Sequence, residues 1–182
     1  GAPTAPCDTG YYCPGGDTSA RPSTFQCPIG HYCPSGSSMP TPCDNGSYQN
    51  STGQSTCHTC PSGYYCTNAL IPQLCPPRHF CPEGTGFPQY CPNGTVGDEY
   101  GFKSDAECRS CPSGKYCQGG IVKGNCLAGH ICYGRNYLPN PQNDLPFGDL
   151  CPRGYPYRRF NPIYRPQICR LACRANPVSI VP

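Results

Sequence analysis

The sequence predicts a small disulfide-rich fold: a tandem array of three cysteine-rich modules built from short β-ribbons and turns, with almost no helix. Of 182 residues, 19 are cysteine, 22 are glycine and 25 are proline, a composition typical of disulfide scaffolds. Only 24 residues are Leu, Ile, Val or Phe. So little apolar surface cannot offset the entropy of ordering the chain, so covalent bridges must replace most of a hydrophobic core.

The cysteines recur in groups of six. Each group opens with two Cys-x5-Cys pairs and closes with two further cysteines. The groups are Cys7, Cys13, Cys27, Cys33, Cys43 and Cys57; Cys60, Cys66, Cys75, Cys81, Cys91 and Cys108; and Cys111, Cys117, Cys126, Cys132, Cys151 and Cys169. They predict modules at residues 1–58, 59–109 and 110–171. Residues 172–182 are then the start of a fourth unit or an assembly tail, because Cys173 lies where a fourth group would begin.

Turn signals follow many of the cysteines. The chain reads Cys-Pro-x-Gly at 27–30, 60–63 and 111–114 among others, and this pattern is typical of tight β-turns. An apolar residue precedes the second cysteine of every Cys-x5-Cys pair, and we expect these residues to pack on the disulfides. They are Tyr12, Tyr32, Tyr65, Phe80, Tyr116 and Ile131. No segment keeps a 3.6-residue period, so helix is not expected.

The third module is expanded. Cys132 and Cys151 enclose eighteen residues, where the equivalent cysteines of the other modules enclose nine. The insert at 133–150 is too rich in Pro and Asn for a helix. We expect a long surface loop or an interaction arm.

Dense disulfides indicate an extracellular or cell-surface location. There is no initiator Met, no signal peptide and no stretch of about 20 apolar residues, so we expect a mature chain or a fragment without direct membrane insertion. Asn45, Asn50 and Asn93 lie in Asn-x-Ser/Thr sequons. Asn45 and Asn93 occupy the same repeat position, two residues after the fifth cysteine, and we expect N-linked glycans there.

The segment Gly46-Ser-Tyr-Gln-Asn-Ser-Thr-Gly-Gln-Ser-Thr-Cys-His-Thr-Cys-Pro-Ser-Gly-Tyr-Tyr-Cys66 resembles the ephrin-receptor-like cysteine-rich repeat, one of the EGF-like and TNF-receptor-like modules. Residues 94–117 look like a second copy. The resemblance covers residues 7–132 and weakens after 133. Similar repeats occur in large surface proteins of protists and algae, including mastigoneme-type fibre proteins.

Six cysteines allow fifteen connectivities, and spacing alone does not choose among them. The resemblance implies first-to-third, second-to-fourth and fifth-to-sixth pairing in each module. The implied bridges are Cys7–Cys27, Cys13–Cys33, Cys43–Cys57, Cys60–Cys75, Cys66–Cys81, Cys91–Cys108, Cys111–Cys126, Cys117–Cys132 and Cys151–Cys169.

Candidate chemistry is sparse. The Cys-x2-Cys pairs Cys57/Cys60 and Cys108/Cys111 fit zinc or a redox dithiol in spacing, but each cysteine has an expected disulfide partner elsewhere. His31, His79 and His130 share one repeat position; we expect packing or hydrogen bonding, and a pH-responsive stack between chains is the alternative. We expect no enzyme activity, cofactor, metal or nucleic-acid partner, because the motifs for those functions are missing.

The C-terminal end is basic. Residues 1–150 carry a net charge of −3, whereas residues 151–182 carry six arginines and no acid. Cys173 is left unpaired or forms an intermolecular bond. The candidate interface residues there are Arg158, Arg159, Arg165, Val178 and Ile180. Their expected partners are copies of the chain, further modules of the same chain, or acidic glycans.

These observations favour an extracellular structural protein, a glycosylated rod that forms or decorates a fibre or cell-surface coat by head-to-tail assembly. The alternative is a ligand-binding ectodomain of a receptor or adhesion protein. A third class, a protease inhibitor, would use 133–150 as its reactive loop.

Overall fold

The computed structural model describes residues 6–15 and 19–141 in full, together with the backbone of a strand at 148–150. Within this part of the chain, fourteen short strands pair as seven two-stranded sheets, and the only helical element is a single 3-10 turn at Asp105–Glu107. The predicted disulfide-rich fold of ribbons and turns is therefore confirmed.

The strands pair in consecutive twos, the first with the second, the third with the fourth, and so on along the chain. The ribbons are β1 (His31–Tyr32) with β2 (Thr41–Pro42), β3 (Ser47–Tyr48) with β4 (His58–Thr59), β5 (Tyr64–Tyr65) with β6 (Gln73–Leu74), β7 (His79–Phe80) with β8 (Gln89–Tyr90), β9 (Thr95–Val96) with β10 (Arg109–Ser110), β11 (Lys115–Gln118) with β12 (Ile121–Asn125), and β13 (His130–Cys132) with β14 (Gly148–Leu150). A single bridge between Tyr11 and Gln26 precedes them.

The structural repeat is shorter than the predicted module. It consists of a four-residue turn, a short strand, a loop, and a second short strand that leads into the next turn cysteine. The turn reads Cys-x-x-Gly except at Cys75, where Arg78 takes the place of glycine with φ +75°. The turns of the described chain begin at Cys7, Cys27, Cys43, Cys60, Cys75, Cys91, Cys111 and Cys126, 15 to 20 residues apart. Their fourth residue has a positive φ, +76° at Gly30 and +82° at Gly63, which glycine adopts without steric cost.

Backbone hydrogen bonds join a repeat to the one that follows it at six of the turns. In the first turn, the amide of Gly10 donates to the carbonyl of Cys33, and the carbonyl of Gly10 accepts from the amide of Cys27, both at 2.9 Å. The same two bonds recur at Gly30, Gly46, Gly63, Gly94 and Gly114. The amide and the carbonyl of each of these turn glycines therefore bond to the following repeat, so the backbone joins the two repeats without requiring a side-chain contact.

The chain divides into two compact units, one of residues 1–89 and 99–104 and the other of residues 90–98 and 105–182. Inside them, the buried apolar side chains of the described residues are thirteen cysteines, Phe102 and Ile131. Of the residues expected to pack on the disulfides, Ile131 is buried and Tyr12, Tyr32, Tyr65, Phe80 and Tyr116 are half-buried. The core is thus made largely of the bridges themselves.

The disulfide pairing corrects six of the implied bridges. Both Cys-x5-Cys pairs of each group close on themselves, so Cys7–Cys27, Cys13–Cys33, Cys60–Cys75, Cys66–Cys81, Cys111–Cys126 and Cys117–Cys132 do not form. The bridges of the structure are instead Cys7–Cys13, Cys27–Cys33, Cys60–Cys66, Cys75–Cys81, Cys111–Cys117 and Cys126–Cys132.

The physical reason is the turn. It reverses the chain within the five intervening residues and brings the two Cα atoms of Cys27 and Cys33 to 5.9 Å, well inside the range that a disulfide spans. The expected fifth-to-sixth bridges Cys43–Cys57 and Cys91–Cys108 are confirmed. Cys151, Cys169 and Cys173 lie outside the described residues.

Candidate functional sites in the repeated turns

Two turns differ from the others in how their cysteine is bridged. Cys43 and Cys91 bond to cysteines 14 and 17 residues further on, whereas the other turn cysteines bond six residues ahead. At the sixth position after Cys43 and Cys91 the sequence has Gln49 and Gly97 in place of cysteine.

Gln49 replaces the missing disulfide with a polar contact. It is 1% exposed; its side-chain amide donates to the carbonyl of Thr56 at 2.8 Å, and its side-chain oxygen accepts from the amide of Ser51 at 3.1 Å. Sequence reasoning missed this residue. Counting six positions from each turn cysteine would have found it, because Gln49 stands where Cys13 and Cys33 stand in their own repeats.

These same two turns carry sequons. Asn45 and Asn93 are each the third residue of the turn, and both side chains are exposed. The next residue, Gly46 or Gly94, is buried, and its amide donates to Cys66 or Cys117 of the following repeat at 2.9 Å. Asn50 differs from them, since it lies in the loop after β3 and is exposed together with Ser51 and Thr52.

The sequon hydroxyls fold back on the turn. The hydroxyl of Thr95 donates to the carbonyl of Pro92 at 2.6 Å, and the hydroxyl of Ser47 donates to the carbonyl of Asp44 at 2.8 Å. Thr95 is 3% exposed. The backbone amides of Thr95 and Ser47 donate to these same two carbonyls. The hydroxyl therefore gives the turn a second hydrogen bond, which is why serine and threonine are favoured at such positions.

The three equivalent histidines each contact a backbone carbonyl through Nδ1. His31 lies 3.1 Å from the carbonyl oxygen of Ile29, His79 lies 2.9 Å from that of Pro77, and His130 lies 3.1 Å from that of Pro141. These contacts agree with the expected hydrogen-bonding role. The pH-responsive stack between chains stays a prediction.

In the part of the chain that the structure describes, Arg21 pairs with Asp8 and Arg109 with Asp98, both at exposed positions. The second pair joins Asp98, two residues beyond β9, to Arg109 at the start of β10. The guanidinium of Arg109, followed by the backbone of Asp98 itself, lowers the pKa of the Asp98 carboxyl by hydrogen bonding. Such exposed pairs contribute little to stability.

Neither Cys-x2-Cys pair bonds internally, since Cys57 pairs with Cys43 and Cys60 with Cys66, while Cys108 pairs with Cys91 and Cys111 with Cys117. Over residues 6–15 and 19–141, no cluster of three or more His, Cys, Asp or Glu side chains could hold a metal ion. In the same residues no helix has the length and hydrophobicity that a membrane span requires.

The predicted basic interface, Arg158, Arg159, Arg165, Val178 and Ile180, lies outside the described residues, as does the centre of the 133–150 insert. The two ends of that insert are described: Asn136 accepts at its carbonyl from the amide of Cys117 at 2.8 Å, and β14 pairs with β13.

No protein-family model matches the chain, and no curated protein is significantly similar to it.

Proposed function

We propose that the chain is an extracellular structural protein, a glycosylated, disulfide-stapled array that forms or decorates a fibre or cell-surface coat. The observation that carries the proposal is the backbone connection between repeats, in which both peptide groups of a turn glycine bond to the next repeat. An architecture that grows by adding repeats, without a side-chain site, suits a scaffold.

The covalent framework supports the compartment. Eight bridges hold the described residues, and the buried apolar side chains are mostly their cysteines. A fold that depends on its bridges to this degree requires an oxidising environment, which is typical of secreted and surface proteins. No catalytic role, cofactor or metal is included in the proposal.

Head-to-tail assembly is the second part of the proposal. The basic end of residues 151–182 would meet the acidic body of residues 1–150, either in a second copy or in further modules of the same chain. A contact of this kind that does not close on itself produces a filament.

The alternative function is a ligand-binding ectodomain of a receptor or adhesion protein. It is favoured by large apolar side chains that are well exposed, Met39 at 69%, Phe87 at 66% and Tyr100 at 66%. Where such exposed apolar groups lie together as a patch, they mark protein interaction surfaces.

Electron microscopy and sedimentation of the oxidised protein separate the two functions. Assembly predicts filaments whose formation weakens in Arg165→Glu and at high salt. Lys123→Glu is the matched control, because Lys123 is exposed in the body of the chain and undergoes the same charge reversal. A protein that stays monomeric at all concentrations, or filaments that Lys123→Glu weakens equally, would contradict head-to-tail assembly.

A further inference from the structure

The sequons at Asn45 and Asn93 are exposed at the asparagine and buried at the glycine that follows; of the two hydroxyl residues, Thr95 is buried and Ser47 is half-buried. The asparagine side chains face solvent, so the folded chain has room for a glycan on either. The middle residue has no such freedom. A Cβ atom built on Gly46 would lie 2.2 Å from the carbonyl oxygen of Gly84, and one built on Gly94 would lie 2.0 Å from that of Arg135.

These distances mean that the backbone of another repeat lies directly against each sequon. The glycine amides are also engaged, with Cys66 and Cys117 as acceptors. The third residue is held as well, because the hydroxyls of Ser47 and Thr95 donate to carbonyls of their own turn. A folded sequon of this kind is a closed turn stacked on a neighbour.

N-glycosylation needs a different conformation. The asparagine Nδ2 forms a bond to the anomeric carbon of a polyprenyl-diphosphate-linked oligosaccharide. The bond from that carbon to the diphosphate breaks, the diphosphate leaves with the electron pair, and one amide proton passes to a base. The transferase must hold all three sequon residues in its groove and reach the hydroxyl. At Asn45 and Asn93 that requires the turn to leave the neighbouring repeat.

We propose that Asn45 and Asn93 accept glycans only before their repeats close, and that Asn50 remains an acceptor in the folded chain. This inference rests on the extracellular location in the proposed function. Asn50, Ser51 and Thr52 are consecutive exposed residues in the loop between β3 and β4. The Ser51 amide donates to the Gln49 side chain and the Ser51 hydroxyl to the Asn50 side chain, both within this loop, so their sequon can enter a groove while the rest of the repeat stays folded. The three sequons therefore report two stages of maturation.

The experiment uses unglycosylated chain made in bacteria, in an oxidised folded form and in a reduced, alkylated form. Each is incubated with an oligosaccharyltransferase and a lipid-linked oligosaccharide, and peptide mass spectrometry measures occupancy at each asparagine. Because most of the buried apolar side chains are cysteines, reduction opens the fold. We expect all three sites to be occupied in the reduced chain. In the folded chain we expect Asn50 to be occupied and the other two to fall at least about tenfold.

Two disulfide variants give crossed controls. Cys60→Ser with Cys66→Ser opens the repeat that accepts the Gly46 amide, and it should raise occupancy at Asn45 while Asn93 stays low. Cys111→Ser with Cys117→Ser opens the repeat that accepts the Gly94 amide, and it should raise occupancy at Asn93 while Asn45 stays low. Asn50→Gln is included in both, so that a glycan five residues away does not block Asn45.

Equal occupancy of Asn45 and Asn93 in folded and reduced chain would overturn the inference. So would a failure of the reduced chain to accept any glycan, since the sequons would then not be substrates. Neither result bears on filament formation, which the microscopy and sedimentation decide separately.

Discussion

Replacing Gly94 with alanine tests whether the stacking of repeats holds the fold together. Gly94 has φ +83°, and its Cβ would lie 2.0 Å from the carbonyl oxygen of Arg135. Gly114 is the matched control in the same compact unit. It has φ +79°, its own hydrogen bonds to the next repeat, and no atom within 4 Å of a Cβ.

The expected magnitudes follow from these geometries. Both substitutions place an L-residue in the left-handed region, at a cost of about 1 kcal/mol. Gly94→Ala must also push the carbonyl oxygen from 2.0 Å to ordinary contact, which begins at 3.4 Å. A shift that large breaks the hydrogen bonds from Gly94 to Cys117 and from Cys111 to Gly94, each worth about 1 kcal/mol. We expect losses of about 3 kcal/mol for Gly94→Ala and about 1 kcal/mol for Gly114→Ala.

The assay is urea unfolding of the oxidised, unglycosylated protein, followed by tyrosine fluorescence because the chain has no Trp and 14 Tyr. Both variants keep every cysteine, and Gly94→Ala keeps the sequon. Equal free energies of unfolding for the two variants would refute the reasoning, because the close approach of Arg135 would then have no energetic effect. A similar slope in urea for all three proteins is required for the comparison.

Three other predictions follow from the bridges, from Gln49 and from Asp98. Trypsin digestion without reduction should yield peptide 110–115 linked only to peptide 116–123, with 124–135 bridged internally; all three peptides in one linked species would support the pairing that the resemblance implies. Gln49→Ala should lower the free energy of unfolding by about 2 kcal/mol, because it leaves the carbonyl of Thr56 and the amide of Ser51 without their partner; Gln54→Ala, at a half-buried residue, should cost less than half of that, and equal losses would contradict the role of Gln49. Asp98→Asn should lower the urea midpoint slightly at pH 7, where the lowered pKa keeps the carboxylate charged and paired with Arg109. The difference in midpoint between the variant and the unchanged protein should vanish at about pH 2, where the carboxylate is protonated, and in about 1 M salt. A difference that persists in acid would exclude the ion pair as its source.

The ribbons and turns could be predicted because they are local. Cys-Pro-x-Gly fixes a turn through the restricted φ of proline and the freedom of glycine, and the scarcity of apolar residues leaves short ribbons as the only ordered elements. The same local logic placed Asn45 and Asn93 on exposed turn positions.

The disulfide pairing and the length of the structural repeat could not be predicted from such local patterns. First-to-second and first-to-third bridges both fit the cysteine spacing, and only the reversal of the chain inside the turn favours the first. The short repeat was hidden because Gln49 and Gly97 take the place of cysteine in two turns, so counting cysteines gives the longer period at which the pattern of bridges repeats and not the shorter period of the turns. Contacts such as that between Gly94 and Arg135 join residues 41 positions apart, and no local pattern marks them.

The six-residue bridges also decide how the chain would respond to tension. The segment from Cys27 to Cys33 would span about 20 Å when pulled straight, but its disulfide holds the two Cα atoms at 5.9 Å. Each bridge of this kind therefore prevents roughly 14 Å of extension. The contacts between repeats are hydrogen bonds, which break under tension and form again when the tension is removed. Stretched in an oxidising medium, the array would lengthen in small reversible steps while every loop stays closed, and reduction would release the withheld length.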